Sequence, residues 1–304
     1  MTATYVKPME CTPVDELPDD ASRWLYEAKL DGYRCCAVVK RGKPALYSRY
    51  GNAWPDRFGD VHASLAMARQ DLVLDGEIVA VDRQGRPSFQ ELQNWQSTRM
   101  PIVFFAFDLL HHAGRELRRT VIEERKSILD DIVPTLGEHV RVSAVLDAKL
   151  RTIVPRLKAL GLEGVIAKRR GSFYEAGKRS RAWLKKRFRE LEELVIGGYL
   201  PGDTPPFARL LVGRWENDKL VFVKKLKNGF SAQSRRHVFE AIRNLKITKC
   251  PFVNLPEPPG RSAVDDEAMR NAVWVRPVRR VEVEFAEWTV SGKLRHALFR
   301  KLVE

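Results

Sequence analysis

Apolar and polar positions follow two different rhythms along the first 190 residues. Residues 24–30 (WLYEAKL) and 35–40 (CCAVVK) read as strands on either side of a tight Asp31-Gly32 turn. Residues 72–82 and 102–110 are continuous apolar runs rich in branched and aromatic side chains, which predicts strands near a core. Residues 56–69 and 120–133 carry helical periodicity, and Thr120 and Glu123 have capping-box spacing. Past residue 190 the pattern shifts to short strands at 194–200, 209–216, 219–227 and 278–289, interrupted by one helix at 231–245. Residues 251–267, rich in proline and acid, read as an exposed loop. The expected class is α+β. A first domain, 1–190, has antiparallel sheets and flanking helices, and a second, 191–304, is a small β-barrel of the OB type.

Composition narrows the partner. A chain of 304 residues with 44% hydrophobic content can bury two cores. The net charge of +14 calls for a polyanion, either nucleic acid or an acidic membrane. No apolar run approaches the roughly 20 residues that span a bilayer, and no signal-peptide core precedes residue 20. A cytoplasmic, non-membrane protein is therefore expected. Cys11, Cys35, Cys36 and Cys250 are too scattered for a disulfide framework and lack zinc-site pairing, so reduced thiols are expected.

The segment Glu27 to Arg34, E-A-K-L-D-G-Y-R, holds the candidate chemistry. On a strand, Glu27, Lys29 and Asp31 share one face and Tyr26, Ala28 and Leu30 the other. That charged face is either a solvated edge or the wall of a cleft. A lysine can act as a nucleophile only when neutral, and its unperturbed pKa is about 10.4. Such a site calls for other bases, a metal and a phosphate around the lysine.

E-x-K-x-D-G-x-R resembles the first motif of the covalent nucleotidyltransferases. Further segments follow in family order: Ser48-Arg49-Tyr50-Gly51-Asn52, Asp75-Gly76-Glu77, Phe105 to Leu110, Glu163 to Lys168, and Trp183 to Arg187. Together they resemble the ATP-dependent DNA ligases, most of all the ligase module of bacterial end-joining ligases. The resemblance implies that Lys29 takes AMP from ATP as a lysyl–AMP and passes it to a DNA 5′-phosphate, after which a 3′-hydroxyl displaces AMP. It implies that Glu27, Arg34, Arg49, Glu77, Phe107, Lys185 and Arg187 hold the nucleotide, with Phe107 stacked on adenine and Glu77 accepting from a ribose hydroxyl. Asp31 and Glu163 would bind Mg2+ or Mn2+. The implied partner is nicked or broken duplex DNA, met by a nucleoid-associated monomer, with a Ku-like end-binding protein by analogy.

Residues 168–189 contain ten Lys or Arg against one acid, Glu175, with Phe173, Tyr174 and Trp183 interleaved. A phosphate-tracking surface is expected there, carried by Arg169, Arg170, Lys178, Arg179 and Arg181. Two departures from the family stand out. Arg187 replaces the usual second lysine of its motif, with Lys186 adjacent. Val303 stands where the last motif carries an arginine, which implies slow lysyl–AMP formation unless Arg300 or Lys301 compensates. The competing function is a non-catalytic or RNA-directed relative acting mainly as a nucleic-acid-binding protein.

Overall fold

The fold is described from a computed structural model, in which residues 3–55, 57–97, 99–258, 263–289 and 291–303 are described. The chain forms two compact units, Met1–Phe188 and Arg189–Glu304.

The first unit contains two sheets. One holds β1 (Glu10–Pro13), β2 (Trp24–Lys29), and two strands that come late in the chain. The other holds β3 (Tyr33–Lys40), β4 (Lys43–Ser48), β5 (Leu72–Ala80), β6 (Ile102–His112), β7 (Arg115–Glu116) and β8 (Val140–Val142). Its helices are α1 (Gly59–Leu65), α2 (Phe89–Gln93), α3 (Ile122–Ile132) and α4 (Leu150–Ala159). The late strands are β9 (Gly164–Arg169) and β10 (Arg179–Arg187), and the first sheet runs β1-β10-β9-β2. The six-stranded sheet runs β4-β3-β5-β6-β7, with β8 added alongside β6. Both sheets are mixed, since β1 pairs with β10 and β8 with β6 in parallel.

Period-two alternation gives the six-stranded sheet two apolar faces. Cys35, Ala37, Leu74, Phe104 and Ala106 pack with Val61 and Leu65 of α1 and Leu129 of α3. Cys36, Val38, Val73 and Leu110 pack with Met9, Tyr174 and Trp183 on the other side. The outer face of the four-stranded sheet packs Tyr26, Val165 and Ala167 on Ile153 and Leu157 of α4. The inner face, with Glu27 and Lys29, is thereby left between the sheets.

The second unit is built on an all-antiparallel seven-stranded sheet. It contains β11 (Glu190–Leu200), β12 (Arg209–Glu216), β13 (Lys219–Leu226), β14 (Lys246–Ile247), β15 (Val273–Val275), β16 (Arg280–Phe285) and, at the end, Leu298–Val303. The helix α5 (Ala232–Ile242) opens with a capping box between Ser231 and Ser234 and buries Val238 and Ile242 against Ile196, Val212 and Val283.

Several expectations are corrected. The strands flanking Asp31-Gly32 are not a hairpin: β2 pairs with β9 and β3 with β4 and β5. The chain crosses between sheets there, and a Cβ on Gly32 would lie 2.1 Å from the Ile78 carbonyl oxygen. The helix expected at 56–69 is only Gly59–Leu65, and residue 56 lies outside the described residues. At α3 the Thr120–Glu123 box does not form. Val121 is the N-cap, and the Glu123 carboxylate accepts from the Gly171 N–H instead. The segment 251–267 is not simply exposed: Phe252 and Val264 are buried, although residues 259–262 lie outside the described residues. The strand expected at 278–289 is broken after Phe285. Arg300 and Lys301 are engaged across the sheet by Glu284 and Glu282. Of the interleaved aromatics, Tyr174 and Trp183 belong to the core and only Phe173 is exposed.

Candidate active site

The strand order β10-β9-β2 sets up two rows across the inner face. Lys29, Gly164 and Arg187 stand opposite one another, and Glu27, Ile166 and Lys185 form the next row. Alternation turns Lys186 to the opposite face from Lys185 and Arg187. Gly164 keeps the first row close, because a Cβ there would lie 2.1 Å from the Lys186 carbonyl oxygen. Glu163, just before β9, ties the row together. One carboxylate oxygen contacts Lys29 Nζ and the other accepts from Arg187 Nε at 2.5 Å. Burial pushes the Glu163 carboxyl up, but the charges of Lys29 and Arg187 outweigh it and hold the group below its ordinary value. Burial, reinforced by Arg187 and Lys29, lowers the Lys185 ammonium.

The facing wall comes from β3, β5 and β6. Arg34 stands opposite Glu77. It forks onto Asp75 with two 2.6 Å hydrogen bonds and donates to the Met9 carbonyl at 3.1 Å. Phe107 occupies a break in the β5–β6 register, where Asp75 pairs with Asp108 but Gly76 with Ala106. Such a bulge re-aims one side chain. It turns Phe107 toward Arg34, 4.6 Å from the ring centre, and sends Asp108 into a fully buried pair with Arg125. Burial pushes the Glu77 carboxyl up to about 7 against the opposing pull of Arg34 and Lys29.

These groups line one cavity of about 770 Å³. Glu27, Lys29, Asp31, Arg34, Arg49, Glu77, Phe107, Lys185 and Arg187 all reach it, and Glu163 sits behind Lys29. Arg179 also reaches it, while Arg169, Arg170, Lys178 and Arg181 are exposed elsewhere on the unit. Arg49 is paired with Glu10 at 2.5 Å. Glu27, expected to touch the nucleotide, lines the cavity but is almost fully buried, and it accepts from both Lys126 and Lys168 at 3.0 Å. Two cations on one carboxylate leave the floor of the cavity positive.

Sequence reasoning missed Lys126, named Asp75 and Lys168 only within their motifs, and named Tyr174 only as an aromatic within the basic stretch. Lys168 is the last residue of the Glu163 to Lys168 segment, and it lies 4.7 Å from the Phe107 ring and 4.4 Å from Trp183. Tyr174 donates to Asp75 at 2.6 Å and so braces the partner of Arg34. Nothing local in the sequence links these residues, because their partners lie across the two sheets.

The donor set fits a nucleotide: a half-exposed aromatic ring for a base, a carboxyl for a ribose, and cations for phosphates. Among the described residues no three His, Cys, Asp or Glu converge on a metal position. Asp31 and Glu163 therefore suit Mg2+ only in its ordinary mode, with one or two carboxylates completed by phosphate and water.

Comparison with known proteins agrees with this geometry. The family described as "ATP dependent DNA ligase domain" matches residues 7–187, and "ATP dependent DNA ligase C terminal region" matches 203–304. The "Multifunctional non-homologous end joining protein LigD" of Pseudomonas aeruginosa is 34% identical over 99% of this chain and 36% of that protein. Its Mycobacterium tuberculosis counterpart is 32% identical over 93% of this chain and 36% of its own length. The crystal structure of the ligase domain from M. tuberculosis LigD superposes with a TM-score of 0.59 at 31% identity, covering 98% of this chain and 95% of that one. A mycobacterial DNA ligase D complexed with ATP and MES gives the same TM-score of 0.59 at 30% identity, with coverages of 98% and 95%. The chain belongs to the ATP-dependent DNA ligases. It spans about a third, 36%, of the length of these curated relatives.

Proposed function

We propose that the protein seals 5′-phosphate/3′-hydroxyl breaks in duplex DNA at the expense of ATP, with Lys29 as the adenylylated residue. The observation that carries this reading is the Lys29–Gly164–Arg187 row, with Lys185 beside it, facing Phe107 and Glu77 across one cavity.

In the first step the Lys29 ammonium loses a proton and its contact with Glu163 opens. Nζ then attacks the α-phosphorus, a P–N bond forms, and the bond to pyrophosphate breaks. Lys185 and Arg187 take the charge that develops on the α-phosphate oxygens. Phe107 stacks on adenine, Glu77 accepts from a ribose hydroxyl, and Arg34 and Arg49 hold ribose and phosphate. Glu27 acts one layer back, by positioning Lys168 beneath Phe107. A divalent metal held by Asp31 or Glu163 together with the phosphates would neutralise charge on the leaving group. In the second step a DNA 5′-phosphate oxygen attacks the same phosphorus, the P–N bond breaks and Lys29 is released. In the third, a 3′-hydroxyl oxygen attacks the DNA phosphorus, the phosphodiester forms and AMP leaves.

The second unit's antiparallel sheet, with α5 on one face, supports reading it as an OB-fold domain. The likeness to LigD supports a role in end-joining repair, on a monomer acting at DNA ends presented by a Ku-like protein. The test is covalent labelling with α-labelled ATP and Mg2+, with GTP and NAD in parallel. The expected result is protein-bound label from ATP alone, stable to alkali and labile to acid as a P–N bond is, and abolished in Lys29→Ala. Label persisting in Lys29→Ala removes Lys29 from the role. Freshly deadenylated wild type that neither takes label nor seals a preadenylated nick overturns the enzyme reading.

A further inference from the structure

Beside the cavity, on the side of Tyr33 and Trp54, lies the guanidinium of Arg57, which has no counter-ion among the described residues. The Arg57 Cζ sits 5.0 Å from the ring centre of Phe58, 5.2 Å from Trp54, 5.2 Å from Trp95 and 5.6 Å from Tyr33. The four rings also contact one another: Trp54 meets Phe58 at 5.6 Å edge-on, Phe58 meets Trp95 at 5.3 Å, and Tyr33 meets Trp54 at 6.2 Å. The Arg57 Nε is buried with no hydrogen-bond partner, and no described carboxylate pairs with the group. The next residue, Phe58, takes φ 63° and ψ 53°, a left-handed conformation that is costly for a bulky side chain.

The unpartnered N–H and the left-handed Phe58 are each unfavourable on their own. A half-buried guanidinium with an orphaned N–H costs free energy that the cation–π contacts only partly offset. A methionine would fill the same space, pack its sulfur against the rings and leave nothing unsatisfied. Simple packing therefore does not account for an arginine here. The geometry supplies another reason: two of the four rings, Tyr33 and Trp54, also line the nucleotide cavity. A cation drawing the faces of the rings toward itself fixes the tilt of both, and with it the shape of the cavity wall.

We propose that Arg57 is a positioning residue for nucleotide binding, acting through Trp54 and Tyr33 rather than by touching the nucleotide. The inference rests on the cavity being the ATP site. Its consequence is that losing the cation loosens the wall without loosening the fold. The wall shapes binding more than bond-making, so the effect falls on KM for ATP in lysyl–AMP formation and less on kcat.

The test is single-turnover labelling across ATP concentrations for wild type, Arg57→Met, Arg57→Lys, Trp54→Leu and the Trp54→Leu/Arg57→Met double variant, each with its thermal midpoint. Arg57→Met should keep the wild-type midpoint and raise KM about tenfold, the size of one cation–π cluster contact. Arg57→Lys, which keeps a cation in the cage, should recover part of that loss. In the Trp54→Leu background the Arg57→Met change should add little. A KM for Arg57→Met equal to wild type overturns the proposal. So does a full tenfold effect that survives in the Trp54→Leu background, or one that Arg57→Lys does not recover at all. Wild type that takes no label is a different failure: it removes the ATP reading itself.

Discussion

Burial in the cavity wall takes Glu77 far from its chemistry in water. Its carboxyl is pushed up to about 7 by burial, so near neutral pH it is a mixture of acid and carboxylate. A raised carboxyl binds its proton more tightly in the folded chain than in the unfolded one. This group therefore withdraws stability as pH rises from the ordinary carboxylate value, 4.5, toward 7, and the cost is complete above that. The ribose hydroxyl reverses the balance, because it donates to the ionised form. Adenosine, which has no group titrating in that range, should bind more tightly as pH rises through about 7, with proton release below it. Titration calorimetry at several pH values measures both effects. In Glu77→Gln the affinity should be lower and flat with pH. A wild-type slope that persists in Glu77→Gln would assign the titration to another group.

At the scale of elements, Asp108 and Arg125 join β6 to α3 by two hydrogen bonds of 2.7 and 2.8 Å, with both side chains fully buried. Arg125→Met leaves an uncompensated carboxylate in the core and should cost about 3–5 kcal/mol of stability. The double change Asp108→Leu with Arg125→Met should restore most of it, because two apolar side chains leave no charge unpaired. Chemical denaturation of the three variants decides the matter. A double variant as weak as the single one would mean that shape, not charge, holds the two elements together. The same pair shows where sequence reading stops. Phe107 and Asp108 are neighbours within one motif, yet a bulge sends one to the cavity and the other to a core ion pair. Alternation along β2 did put Glu27 and Lys29 on one face, and left open whether that face was a solvated edge or the wall of a cleft. It could not assign Glu27 its two lysines, which lie 99 and 141 residues away. The stretch 168–189 hid the strand β10 for a related reason. Its exposed Arg179 and Arg181 alternate with buried Ser180 and Ala182, so net charge masked the strand period.

At the scale of the whole molecule the question is where the +14 charge resides. Among the described residues the buried cations are Arg125, Lys126, Lys168 and Arg235, and the buried acids are Glu27, Asp75, Asp108 and Glu284. These cancel, so the interior is neutral and the positive excess belongs to the surface. A surface of that kind binds DNA by releasing counterions, and affinity should fall steeply with salt. The contributions differ from residue to residue. Arg170 and Arg179 already face Glu123 at 3.9 Å and Glu10 at 2.5 Å, so part of their charge is spent within the protein. Arg169, Lys178 and Arg181 are exposed on the same stretch with no such ion pair among the described residues. Each of these three that meets a phosphate should lower the log–log salt slope by about 0.9 when changed to alanine, and the triple change should lower it by roughly 3. Arg170→Ala and Arg179→Ala should each change it less. The measurement is nicked-duplex affinity across a salt titration. A triple variant with the wild-type slope would remove Arg169, Lys178 and Arg181 from the DNA contact.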